Sequence, residues 1–191
     1  MLVLSQTDRE IVATMREFGV LADIDGHRVD QRNGVIMLPC SDGDQFPDVF
    51  RHQLRLTLAH RVSPRIHPIS MNGGALVIPR DSPLKGALPI GEVMLDQIWQ
   101  AMQLKGITTV VLYAHAPCGM AATYDMNFAE VVATLFQAKM AVREEHPDAK
   151  IICFAHVDAG DKKRTYFVSR ERWAGWCAKR RAGLLESTPA T

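Results

Sequence analysis

The sequence predicts one α/β domain: a mostly parallel central sheet flanked by helices, with an antiparallel hairpin late in the chain. Three observations carry that reading. Short apolar runs rich in β-branched residues alternate with amphipathic segments at helical spacing. Turn and capping residues separate nearly all of them. Finally, two strand-like runs, Ile151–Val157 and Thr165–Val168, are joined by a short link, 158–164, that contains the turn Ala159-Gly160-Asp161, too short for a parallel crossover.

Taken in order, Thr7-Asp8-Arg9-Glu10 reads as a capping box ahead of Ile11, Val12, Met15 and Phe18, with Gly19 as the stop. A loop through Asp23–His27 leads to Val35–Leu38, a buried strand that ends at Pro39-Cys40. Pro47 suits the first turn of a helix running to about His60. Asn72-Gly73-Gly74 then opens a second apolar run, Ala75–Ile78. A helix from Ile90 to Lys105 is closed by Gly106, and Thr108–Tyr113 is the clearest strand. Asn127-Phe128-Ala129-Glu130 opens a helix to Glu145, broken by His146-Pro147. The last helix starts near Ser169 and carries Trp173 and Trp176 as packing anchors. The expected layout is an N-terminal helix and loop (1–32), a core (33–168), and a C-terminal helix with a frayed tail (169–191).

Composition narrows the function. With 191 residues, 47% of them apolar, the chain can bury one core. No run approaches the ~18–20 apolar residues of a membrane span, and the N-terminus lacks the pattern of a signal peptide. The expectation is a cytoplasmic protein. A net charge of +1 offers no global attraction for nucleic acid or an anionic membrane, and Lys162-Lys163-Arg164 and Lys179-Arg180-Arg181 read as solvated surface. In a reducing compartment the four cysteines point away from a disulfide framework and towards metal binding or catalysis.

Two segments carry that chemistry, Cys40-Ser41-Asp42-Gly43-Asp44 and His115-Ala116-Pro117-Cys118-Gly119. Each follows a predicted buried strand, where sites form in open parallel sheets. Cys40, His115 and Cys118 are a zinc-type donor set, since zinc prefers thiolate and imidazole in a tetrahedron. Asp42 is expected either to reach the metal or to accept a hydrogen bond from metal-bound water. The alternative is two ordinary buried thiols and a core imidazole. Cys153 and Cys177 read as small core residues. His60, His146 and His156 read as surface or capping residues, and His67 as a candidate proton shuttle.

The order Cys40-x-Asp42, then Met71-Asn72-Gly73-Gly74, then His115-x-x-Cys118-Gly119 resembles the β-class carbonic anhydrases over about residues 33 to 168. The resemblance implies one Zn2+ held by Cys40, His115 and Cys118, with Asp42 as catalytic residue or fourth ligand. It implies a substrate pocket at Asn72, Gly73 and Gly119. Carbon dioxide or a similar small electrophile would be hydrated, zinc lowering the pKa of water so that hydroxide forms near neutrality. A homodimer or larger homo-oligomer is implied too. The family's Cys-x-Asp-x-Arg, however, ends here in Asp44. Asp42 then either closes the site, leaving a non-catalytic zinc protein, or is held by a cation from elsewhere, Arg51 or Arg80. A cysteine-phosphatase loop would need arginine where Phe46 stands.

Overall fold

The computed structural model describes residues 2–24, 31, 33–58 and 65–183. Helix α1 (Gln6–Glu17) is capped by Ser5, whose hydroxyl accepts from the Asp8 N–H, and not by Thr7 as the sequence pattern suggested. It is followed by the short strand β1 (Leu21–Ala22) and by β2 (Val35–Leu38). Helix α2 (Phe46–Leu58) leads to β3 (Ile66–Pro68), a strand too short and too polar to announce itself in the sequence. The apolar run Ala75–Ile78 is wound rather than extended: Gly74–Val77 is a buried 3₁₀ turn.

Helix α3 (Ile90–Lys105) ends where Gly106 takes a left-handed conformation, and β4 (Thr109–Ala116) follows. A single short helix, α4 (Gly119–Thr123), precedes α5 (Phe128–Glu145), which has a complete Asn127–Glu130 capping box and His146 as its C-cap. Strands β5 (Lys150–Asp158) and β6 (Lys163–Val168) form the late hairpin, and α6 (Arg170–Arg181) is capped by Ser169. The expected helix end at His60 and the tail Glu186–Thr191 lie outside the described residues.

The six strands lie in the order β1-β6-β5-β4-β2-β3. β3, β2, β4 and β5 are mutually parallel, whereas β6 and β1 run antiparallel to their neighbours. Every residue of β4 is buried, as a central parallel strand covered on both faces requires. Alternation divides its side chains between two cores. Val110, Leu112 and Ala114 join the larger core with Ile11 and Met15 of α1, Met94 and Ile98 of α3, α5, and Trp176. Val111 and Tyr113 face the smaller core with Val49 and Leu56 of α2, Met37 and Phe154.

That second face also holds polar groups. His52 Nδ1 lies 3.0 Å from the Tyr113 hydroxyl, which donates to Gln53, which in turn donates to Gln31. No helix among the described residues is long and apolar enough to cross a membrane.

Candidate metal centre

Parallel strands β2 and β4 are neighbours, so the segments that leave their carboxyl ends emerge side by side. Cys40, two residues beyond β2, is held by a bridge to Met71, with the Ser41 N–H donating to the Met71 carbonyl at 3.0 Å. The chain then turns back under Cys40. The Gly73 N–H donates to Cys40 Sγ at 3.3 Å. Gly74, at φ +53°, packs so tightly that a side chain would meet the backbone of Pro39 and Cys40. The glycines of Asn72-Gly73-Gly74 therefore serve close approach to the thiol as well as turning the chain.

On β4, His115 is the penultimate residue, and Cys118 caps α4. The donor atoms of Cys40, His115 and Cys118 all lie within 4.8 Å of one another, and all three residues are buried. Both ring nitrogens of His115 are buried without a hydrogen-bond partner. An unpaired buried polar atom costs about 1–3 kcal/mol, so this imidazole is set for a partner that binds among the three side chains. The thiols are similarly prepared. A hydrogen bond from Cys118 holds the Cys40 thiol far below its ordinary pKa against the opposing effect of burial, with His115 adding to the effect. Cys118 is pushed up by donating to Cys40 and by burial. The hydrogen bond between them therefore favours ionisation of one thiol of the pair and opposes that of the other. Two thiols and an imidazole at this spacing fit a tetrahedral, zinc-type ion.

Asp42 is not one of the three clustered donors. Its Oδ1 accepts from the Asp44 N–H at 2.9 Å, and its Oδ2 stands 4.0 Å from His115 Nε2. Among the described residues no arginine pairs with it. Arg51 is engaged by Asp48 at 2.8 Å, and Arg80 borders a groove elsewhere on the molecule. Lys163 reaches the loop at the Asp44 carbonyl, and it joins Asp48 at 3.2 Å and Asp158 at 3.1 Å. Asp158 is also held by Gln45. The lysine therefore ties the β5–β6 hairpin to the start of α2 and leaves Asp42 alone.

Of the expected pocket residues, Gly73 is buried against Cys40, while Asn72 is exposed and accepts from the Ser41 hydroxyl at 2.8 Å. Gly119 is half-buried at the head of α4, beside Leu2. His67 is paired with Ile36, well short of Cys40 along the sheet, and is not brought to the centre. Cys153 lies in the core, as expected, with burial raising its thiol to about 12.

His156 corrects the sequence reading. It is neither on the surface nor a cap, but 2% exposed and directly across from His115. The signal was present: aligning the parallel runs 109–116 and 150–157 puts the two histidines in register.

A groove of about 1360 Å3 lies instead between α3, α5 and α6, with Trp99, Phe136, Met140 and Trp173 on its walls. None of the residues of the candidate centre lines it.

No protein-family model matches the sequence, and no curated protein is significantly similar to it. Solved structures that align with it include a carbonic anhydrase from Streptococcus mutans, at 13% identity and a TM-score of 0.44, covering 88% of this chain and 100% of that one. A β-carbonic anhydrase of Aspergillus fumigatus aligns at 13% identity and 0.42, covering 78% and 99%. One from Trichomonas vaginalis aligns at 14% identity and 0.42, covering 86% and 99%.

Proposed function

We propose that this chain binds one zinc ion through Cys40, His115 and Cys118 and catalyses the hydration of carbon dioxide or a related small linear electrophile. The observation that supports the reading best is the convergence of these three buried donors around an imidazole with no partner of its own. The order of the sequence motifs agrees with it. When bound, zinc acts as a Lewis acid that brings the pKa of a coordinated water towards neutrality.

The protein's own groups set the conditions for that chemistry. The Gly73 N–H donates to Cys40 Sγ and withdraws charge from the thiolate, which would otherwise neutralise much of the ion's acidity. Asp42 is fixed through Oδ1 by the Asp44 amide. Its Oδ2, 4.0 Å from His115 Nε2, would accept a hydrogen bond from a hydroxyl group at the centre and so orient it. Gly73 lets the turn pack close beneath the Cys40 thiol. Assembly as a homodimer or larger homo-oligomer and residence in the cytoplasm belong to the same reading.

A second reading has its own support. Asp42 has no arginine partner among the described residues and lies 4.0 Å from His115 Nε2. A modest rotation would let it complete the tetrahedron and give a closed, non-catalytic zinc site.

Metal analysis with stopped-flow hydration of carbon dioxide over a pH series tests both. The expected result is one zinc per chain and a rate above the buffer blank that rises with pH. Stoichiometric zinc with a blank rate at every pH leaves the closed site; folded protein that takes up no zinc removes both readings.

A further inference from the structure

His115, His156 and Thr165 form one row across the sheet. His115 on β4 is the register partner of His156 on β5, and His156 is the register partner of Thr165 on β6. Residues paired in this way project from the same face, so the two imidazoles are cross-strand neighbours. Both are buried, at 3% and 2% exposure. His156 Nδ1 lies 2.8 Å from Thr165 Oγ1, whereas His156 Nε2 and both nitrogens of His115 have no partner. Three of the five unpartnered buried side-chain atoms of the described residues therefore belong to two histidines in register on neighbouring strands.

Metal ligation decides which nitrogen must be satisfied. A neutral imidazole that offers one lone pair to an ion carries a proton on its other nitrogen, and that N–H needs an acceptor. His156 has the matching vacancy. With Nδ1–H donating to Thr165, its Nε2 is a buried lone pair; were Thr165 the donor, the one proton of neutral His156 would sit on Nε2 and face the His115 N–H with neither able to accept.

We propose that His156 is the positioning residue of the centre: with the ion bound, its Nε2, while Thr165 accepts from Nδ1–H, takes up the N–H of His115, a bond neither ring makes in the structure described, and so presents the other His115 nitrogen as a lone pair to the ion. This inference rests on the zinc reading above. Asp42 is the competing acceptor, since its Oδ2 lies 4.0 Å from His115 Nε2. It is partly exposed and already anchored through Oδ1.

The test is zinc affinity, measured in the whole chain by competition with a chromophoric chelator, together with the visible spectrum of the cobalt(II)-substituted protein. Loss of such an outer partner typically weakens metal binding about 10–100-fold. His156→Phe, which keeps the ring and removes the acceptor, is expected to show that loss and to shift the cobalt bands. His156→Gln, which restores an acceptor oxygen, recovers most of the affinity. Thr165→Val, which frees the tautomer, falls between them.

An affinity within twofold of the parent in folded His156→Phe overturns the proposal, as does a loss that His156→Gln fails to repair. A loss confined to Asp42→Leu, which removes that acceptor, also overturns it by naming the other acceptor. If His156→Phe does not fold, Thr165→Val decides, and unchanged affinity there is fatal. Zinc uptake by the parent that ignores all the His156 and Thr165 variants removes this inference alone; a parent that binds no zinc removes the zinc reading with it.

Discussion

Replacing Gly74 with alanine would press a methyl group against the one stretch of backbone that places Cys40. A Cβ built there lies 2.6 Å from the Pro39 carbonyl carbon and 2.8 Å from its oxygen, and it also meets the Cys40 nitrogen. These are main-chain atoms and cannot rotate away. The residue sits at φ +53°, a conformation that costs an L-residue roughly 1–2 kcal/mol, and overpacking adds roughly 1–3 kcal/mol. The expected loss is about 3 kcal/mol, read as a lower urea midpoint at unchanged slope, or a melting temperature lower by roughly 6–12 °C in a domain of this size.

Gly43→Ala and Gly73→Ala calibrate the measurement. A Cβ on Gly43 meets nothing within 4 Å, so that variant should stay within about 0.5 kcal/mol of the parent. At Gly73 the neighbours are the side-chain ends Val77 Cγ1 at 2.9 Å and Leu84 Cδ2 at 3.2 Å, which can shift, so the loss should be smaller than at Gly74. A Gly74→Ala protein as stable as Gly43→Ala would refute the close approach of the 72–77 turn to Cys40, and with it the geometry of the centre.

Stability of the metal-free protein should fall on acidification. Burial holds His156 at about 4 and His52, with Arg55 adding repulsion, at about 4, against an ordinary 6.5. The unfolded chain takes up these protons below pH 6.5 and the folded chain does not until near 4, so the loss accrues between those values and levels off beneath them. At about 1.4 kcal/mol per pH unit, His156 alone contributes roughly 3 kcal/mol; urea midpoints that are flat across this window would count against the burial.

Lys163→Met should cost about 0.5–1 kcal/mol, since the half-exposed lysine is partly screened by solvent, and equal stability by thermal melting would show the hairpin clamp to be idle. Zinc at a hundred times its Kd should stabilise the fold by about 2.7 kcal/mol, reversed by a chelator; a Tm indifferent to zinc contradicts the site. Asp44→Arg should raise carbon dioxide hydration severalfold if the missing arginine limits the rate, and no gain in a folded, zinc-loaded variant removes that explanation.

Local chemistry made much of this protein readable from its residues alone. The helices α3, α5 and α6 begin and end at Asn127, Ser169, Gly106 and His146 because capping acts within a turn of the chain. The strands Val35–Leu38 and Ile151–Val157 are apolar enough to read directly. Cys40, His115 and Cys118 stood out as zinc-type donors at two strand ends. Ile66–Pro68 escaped because it is short and polar, and its strand state comes from pairing with β2. The backbone state of the run Ala75–Ile78 was not legible, because burial selects apolar residues whether the backbone is extended or wound.

What the sequence settled was the alternation of elements and the identity of the donor side chains, since both follow from interactions between residues a few positions apart. Only the tertiary structure decided the strand order, the distance between Cys40 and Cys118, the orphaned nitrogens of His115 and the place of His156 across from it. Those depend on register between strands distant in the chain, and on which buried polar atoms the finished packing leaves without a partner.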